Sequence, residues 1–333
     1  MSALLELHDV DVSYRRRGSK PVRAVVGANL TIAAGEIVGL VGESGCGKST
    51  LARAAVGLVP LSGGRVSFDG QTVKALRRRS RPASMRSLQM IFQDPYASLN
   101  PRRRIGNQIA DAVTLGVGDK NVPGSRHDEA ALVLERVGLS ADVATRFPHE
   151  FSGGQCQRIA VARVLAARPS CIIADEPISA LDASAQAQIA NLLAGIAHQS
   201  GLGMLFISHD LSVVRRVATT TVVMYLGRIV ESGPTEQVWG RPAHPYTEAL
   251  IKAIPRLGSG AGLPVELPGD VGDPARPPAG CRFHPRCPSV MDRCRVTQPD
   301  PVAVGETWQA ACFLASARVA GPAPTTTTAQ PPG

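Results

Sequence analysis

An α/β architecture on a mainly parallel sheet is the fold class this sequence predicts. Three observations point to it. Short apolar runs alternate with helix-period stretches along most of the chain, the order that layers helices on a parallel sheet. Two of the runs, residues 37–41 and 171–174, carry no charged side chain, as strands covered on both faces do. The first of them enters a glycine-rich loop that opens onto a helix-compatible stretch.

The elements follow in order. Residues 4–14 and 24–32 read as strands with partial alternation. Residues 36–41 form a buried strand, and 49–56 a helix that stops at Gly57. Residues 64–70 are a short strand ending at an Asp-Gly turn, and 88–92 another strand. The stretch 94–150 is helix-like and loop-rich, broken at Gly116, Gly118 and Pro123-Gly124. A helix over 153–167 is closed by Pro169, and 171–175 is a buried strand. Residues 183–200 predict a helix with Ile189, Leu192, Leu193 and Ile196 on one face, ended by Gly201. Residues 204–208 and 221–226 complete the strands. The early strands and the 94–150 stretch read as additions to the α/β core. Beyond Pro255 the chain turns Gly/Pro-rich, then carries four cysteines within 32 residues, and ends in a Pro/Thr-rich tail with the composition of disorder.

Bulk properties narrow the function. The 333 residues accommodate one large domain with an appendage. No run of eighteen apolar residues suggests a membrane span, and no basic-then-apolar start suggests a secretory signal, so a cytoplasmic setting with reduced thiols is expected. The formal net charge is +9, clustered at Arg15–Arg17, at Arg77–Arg79 with Arg81, and at Arg102–Arg104. Such clusters can meet nucleic acid or the anionic inner face of a membrane, or be solvated loops; none interleaves with aromatics as nucleic-acid platforms often do, and no nucleic-acid partner is expected.

The loop Gly42-Glu43-Ser44-Gly45-Cys46-Gly47-Lys48-Ser49-Thr50 fits G-x-x-x-x-G-K-[ST], the phosphate-binding motif, in its strand–loop–helix setting. Its glycines let backbone N–H groups wrap a triphosphate, and the helix that follows aims its positive end at the same phosphates. Lys48 would reach the β/γ-phosphates and Ser49 would help hold Mg²⁺. Cys46 stands where a helix N-terminus lowers thiol pKa, but reads as a tolerated small residue. The strand 171–175 ends in Asp175-Glu176. Asp175 suits the Mg²⁺ shell, and Glu176 suits orienting or deprotonating the attacking water. Phe151-Ser152-Gly153-Gly154-Gln155 begins a helix with Ser152 as N-cap and an open, positive end. That end makes sense if it completes the nucleotide site of another subunit.

With these residues in place the sequence resembles the ATP-binding-cassette ATPases over about residues 4–255. Phe151–Gln155 is similar to their LSGGQ signature, with Phe for Leu. The resemblance implies that Tyr14 stacks on adenine and that Gln93 is the Q-loop glutamine that senses Mg²⁺ and the membrane partner. It makes Ser179-Ala180-Leu181-Asp182 the D-loop and His209 the switch histidine near the γ-phosphate. Ile178 departs from the commoner Thr. Singly, Tyr14 could be a surface tyrosine, Gln93 a turn residue and His209 a satisfied loop histidine; their joint order carries the reading. The implied architecture is a P-loop NTPase core with an antiparallel N-terminal β subdomain, a helical subdomain over about 94–168 and a small extension over 256–315, then a disordered tail over 316–333.

Longer runs narrow the resemblance to the dipeptide/oligopeptide importer ATPases. These are residues 92–101, residues 148–158 with Gln-Cys-Gln-Arg, and His244-Pro245-Tyr246 followed by Thr-Glu-Ala-Leu. The variants resemble the second, "F" type subunit. Nickel and glutathione importers share the subfamily. The implied partners are a second, different ATPase subunit, two permeases and an extracytoplasmic binding protein, with this chain at the cytoplasmic face of the membrane. Rival classes fit less well: there is one cassette and no sustained heptad run, unlike soluble cassettes acting on ribosomes or DNA.

Cys281, Cys287, Cys294 and Cys312 are spaced C-x5-C-x6-C-x17-C. Spacing alone leaves unrelated thiols, zinc or a [4Fe–4S] cluster open. The resemblance favours the iron–sulfur reading.

Overall fold

The computed structural model describes residues 3–15, 21–76, 81–117, 125–179, 181–254, 269 and 272–320. In chain order the strands are β1 (Ala3–Tyr14), β2 (Val22–Ala33), β3 (Ile37–Val41), β4 (Gly63–Phe68), β5 (Gln71–Thr72), β6 (Leu88–Ile91), β7 (Cys171–Asp175), β8 (Gly203–Ile207), β9 (Thr220–Tyr225), β10 (Arg228–Pro234), β11 (Val302–Ala303) and β12 (Gln309–Ala310). The helices are α1 (Lys48–Ala55), α2 (Pro95–Ser98), α3 (Ile105–Val117), α4 (Arg126–Arg136), α5 (Gly153–Ala166), α6 (Ala183–Ser200), α7 (Leu211–Val217), α8 (Thr235–Gly240), α9 (Pro245–Lys252), α10 (Asp292–Val296) and α11 (Ala315–Ala320).

The main sheet has the order β11-β12-β10-β9-β3-β8-β7-β6. Its five strands from β9 to β6 are parallel, and most of their residues are apolar and buried, as strands covered on both faces are. Along β3 the two faces feed two cores: Ile37 and Val41 join one apolar cluster, Val38 and Leu40 the other. Every residue of β3, β7 and β8 is buried. Parallel strands present their C-terminal ends on one edge, so Val41, Asp175 and Ile207 deliver the loops that follow them to one place.

A second, antiparallel sheet has the order β2-β1-β4-β5, as expected for the early strands. Helices α3, α4 and α5 pack on one another. α5 buries residues all round its axis, among them Cys156, Ile159, Val161, Val164 and Leu165, as the central helix of a layer does. Among the described residues no helix is long and apolar enough to cross a membrane.

Two features differ from expectation. The strand ending at Tyr225 turns back through Leu226 (φ 42°) and Gly227 (φ 83°) into β10, the two-residue hairpin with both central φ positive. The second lies in the C-terminal segment. β12 pairs with β10 in the register Glu231↔Ala310 and Ser232↔Gln309, which adds the C-terminal segment to the main sheet. Gly233 lets Trp308 lie flat on β10: a Cβ there would meet Trp308 Cδ1 at 2.5 Å. α11 falls within the stretch from 316 expected to be disordered. Residues 255–268 and 321–333, Ala180, and the arginines 16, 17 and 77–79 lie outside the described residues.

Candidate functional site

The glycine loop leaves β3 through Gly42 at φ 153° and enters α1 through Gly47 at φ 112°. Both positions demand glycine. A Cβ on Gly42 would meet Met224 O at 2.2 Å, and one on Gly47 would meet Ala24 O at 2.4 Å. Lys48 is 4 % exposed, and its Nζ donates to Gly42 O (2.7 Å) and Glu43 O (3.0 Å). The ammonium therefore lies inside the curl of the loop. Cys46 is buried, and burial outweighs the neighbouring Lys48 and pushes its thiol pKa up, not down. Its place is a packing place.

Four other elements meet this loop. Ser49 Oγ donates to Asp175 Oδ1 at 2.8 Å, joining α1 to the end of β7. Asp175 is buried, and that burial raises its pKa although Ser49 opposes the shift. Glu176 follows in the left-handed region at φ 46°, a strained setting for a side chain with a Cβ. Its backbone N–H donates to Ile207 O (3.1 Å). Its carboxylate Oε2 accepts from Gln93 Nε2 at 3.0 Å and lies 3.6 Å from His209 Nδ1. Gln93, Glu176 and His209 line one open cleft with Ser44, Ser179 and Gly153. The sequence assigns Ser44, Gln93, Glu176 and His209 to this subunit's nucleotide site, Gly153 to a partner's and Ser179 to the D-loop.

Tyr14, 41 % exposed, ends β1 beside α1, with Oη 3.4 Å from Thr50 Oγ1. Ser152 and Gln155 close a capping box: Ser152 Oγ accepts from Gln155 N (3.4 Å), and Gln155 Oε1 from Ser152 N (3.1 Å). Apart from its chain neighbours and its own helix backbone, nothing among the described residues stands within 4 Å of where a Cβ on Gly153 would be. The N-terminal end of α5 is therefore open. Asp182 caps α6 by accepting from Ala185 N at 2.9 Å.

The comparisons with known proteins agree on one answer. An ABC transporter family model matches residues 25–179, and a model of the oligopeptide/dipeptide transporter C-terminal region matches 230–294. A probable peptide ABC transporter ATP-binding protein of Sinorhizobium fredii is 44 % identical over 319 residues, covering 94 % of this chain and 89 % of its own. The chain belongs to the ATP-binding subunits of ABC transporters. A putative peptide import ATP-binding protein of Brucella ovis is 45 % identical over 298 residues, 89 % of this chain and 93 % of that one. A dimeric ATP-binding cassette, MJ0796, in a post-hydrolysis state with ADP and phosphate, superposes with a TM-score of 0.61 at 26 % identity. The match covers 69 % of this chain and 98 % of the cassette.

In this ABC ATPase the segment 230–294 is fastened by buried polar bonds. Glu231 is 1 % exposed; its carboxylate accepts from Ala243 N (2.8 Å), His244 N (2.9 Å) and Trp308 Nε1 (3.0 Å). His244 caps α9, its Nδ1 accepting from Tyr246 N at 3.0 Å. Complete burial keeps its imidazole neutral and brings its pKa down to about 3. In the unfolded chain a histidine titrates near ~6.5. Between those values the unfolded state takes a proton that the folded state refuses. His244 therefore costs stability as pH falls from about 6.5, by up to about 1.4 kcal/mol per unit. His244→Asn replaces the Nδ1 cap with an amide-oxygen acceptor and removes the titration. Wild type is expected to be the more stable near pH 7, with the gap in denaturation free energy narrowing toward pH 5. A gap that does not change with pH contradicts the assignment.

The four C-terminal cysteines, Cys281, Cys287 and Cys294 within this segment and Cys312 beyond it, line one small cavity with His244 and Phe283. All are free thiols. Burial pushes Cys281 up to about 11 and also raises Cys287 and Cys312. Sequence spacing thus found a real cluster. Among the described residues, however, no set of three or more His, Cys, Asp or Glu is arranged to hold a metal ion. The geometry gives the iron–sulfur expectation no support, and the chemistry below needs no such centre.

Proposed function

We propose that this chain is an ATP-hydrolysing subunit of an ABC importer that takes up di- or oligopeptides. The observation that carries the reading is the joining of two features in one fold: a phosphate loop facing Asp175, Glu176 and His209, and a C-terminal region of oligopeptide-transporter type. The relatives named for peptide import, 44–45 % identical over about nine-tenths of the chain, support the solute class.

ATP lies along Gly42–Thr50, with adenine on Tyr14 and the phosphates cradled by Glu43, Ser44, Gly45, Cys46 and Gly47. Lys48 exchanges its two loop carbonyls for phosphate oxygens. Ser49 and Asp175, already hydrogen-bonded, and Gln93, whose amide bonds the neighbouring Glu176, offer a hydroxyl, a carboxylate and an amide oxygen that suit Mg²⁺. A cation there would offset the cost of burying the Asp175 charge. Bound Mg²⁺ would neutralise charge on the β- and γ-phosphates. Glu176 orients and polarises the attacking water, and His209 steadies the γ-phosphate. The protein's work is positioning and charge stabilisation.

The open end of α5, Ser152–Gln155, completes the site of a second ATPase subunit, with Asp182 near the shared seam. The dimeric state of the MJ0796 cassette supports such a pairing. A different, "D" type chain is the partner we favour. ATP at both faces holds the pair together and hydrolysis releases it. The movement passes to two permease subunits through the groove beside Phe92, where Met90, Asp111, Leu115 and Arg163 line a concave wall. An extracytoplasmic binding protein delivers the solute, and this chain works at the cytoplasmic face of the membrane. Deleting the gene is expected to abolish uptake of labelled peptide by cells, restored by wild type and not by Lys48→Ala. Unchanged uptake in the deletion strain overturns the reading.

A further inference from the structure

Glu43 occupies the first variable position of the phosphate loop, and all three of its polar groups are tied down. Its backbone N–H donates to Tyr246 Oη at 2.9 Å. Its carbonyl accepts from Lys48 Nζ. Its carboxylate takes both arms of Arg286: Nη1 to Oε2 at 2.7 Å and Nη2 to Oε1 at 3.0 Å. The Arg286 side chain is 5 % exposed and that of Glu43 17 %. Arg286 also lies over the Tyr225 ring, 5.9 Å from its centroid, and Nη1 reaches Tyr225 Oη at 3.4 Å. Tyr225, Tyr246 and Phe283 pack together with centroids 4.6–5.3 Å apart, so the guanidinium and phenol come from a rigid wall. Sites 203 and 243 residues away thus grip a single loop residue.

A half-buried carboxylate in a loop meant for a triphosphate is an electrostatic liability. Left alone it repels the ligand; paired in a two-armed bond it is neutralised and held in one geometry. We propose that Arg286 is a positioning residue of the ATP site: by cancelling and fixing Glu43 it keeps the phosphate loop receptive to nucleotide, which makes the C-terminal segment part of that site. The proposal rests on the ATP-site reading above. Tyr246 fixes the same residue by its backbone, so the HPY helix and the cysteine-bearing segment act on the loop together.

The test measures ATP and ADP affinity of the full-length protein by titration calorimetry, with melting temperature alongside. Arg286→Gln strands the Glu43 charge. It is expected to bind ATP about tenfold more weakly and ADP by a smaller factor, because the penalty grows with phosphate charge. Glu43→Gln/Arg286→Gln strands no carboxylate charge and is expected to recover a substantial part of that loss. A folded Arg286→Gln with wild-type ATP affinity overturns the proposal, and so does a double variant as weak as the single one. Should Arg286→Gln not fold, Arg286→Lys decides. It keeps the charge and loses the fork that fixes Glu43, so ATP affinity weakened about threefold or more supports the proposal and wild-type affinity overturns it. Lys48→Ala run in parallel separates the two readings. If it binds ATP normally, the ATP-site assignment itself fails; if it is weakened while Arg286→Gln is not, only the role of Arg286 fails.

Discussion

Glu176→Gln is expected to slow ATP turnover by about a hundredfold or more while ATP remains bound. Glu176 is the carboxylate in the cleft with freedom to meet a water. Asp175 is committed to Ser49 at 2.8 Å and buried. Glu176 instead faces the cleft, touching Gln93 at 3.0 Å and standing 3.6 Å from His209. Its positive φ aims the side chain away from the direction β7 would otherwise give it. Gln is nearly the same shape and leaves the loop, Lys48 and Ser49 untouched, so binding survives. It is a far weaker base, and the lost step is worth at least about 2.7 kcal/mol of barrier. Single-turnover phosphate release with nucleotide retention measured alongside checks both halves. Wild-type turnover in the variant would remove Glu176 from the chemistry.

Lys48→Ala fails at the earlier stage. It is expected to weaken ATP binding by about a hundredfold, with hydrolysis lost as a consequence. Lys48 sits inside the loop, 4 % exposed, held by the carbonyls of Gly42 and Glu43. Removing the ammonium leaves those carbonyls turned inward with no positive charge between them and the incoming phosphates. Helix α1 still offers its N-terminal N–H groups, which is why the loss is large but finite. Equilibrium titration with a fluorescent ATP analogue reads it. The two variants should therefore part company: Lys48→Ala empty, Glu176→Gln loaded and idle.

The chemistry was legible in the sequence because each piece is contiguous and bounded by glycine or a strand end. Gly42–Thr50 announces its own turn geometry, and Asp175-Glu176 closes an apolar run. Parallel pairing of β3, β7 and β8 then brings pieces more than a hundred residues apart to one edge. What stayed hidden is long-range and polar. β10 carries the buried Glu231, a residue that breaks any strand pattern until its three donors are seen. The grip of Arg286 and Tyr246 on Glu43 leaves no periodic trace, since one contact joins positions 243 residues apart. The cysteine spacing foretold a cluster but not its chemistry, because the cavity wall is shared with His244 and Phe283 from other turns. Cys46 reads as a tolerated small residue from sequence, and its burial agrees.

The central claim is that ATP hydrolysis at Glu176 drives peptide import. The most direct measurement is phosphate release by the assembled importer in proteoliposomes, with and without peptide-loaded binding protein. Hydrolysis is expected to rise severalfold when loaded binding protein is added, and to stay flat when this subunit carries Glu176→Gln. Equal rates with and without loaded binding protein, in an importer that is otherwise turning over ATP, would contradict the account.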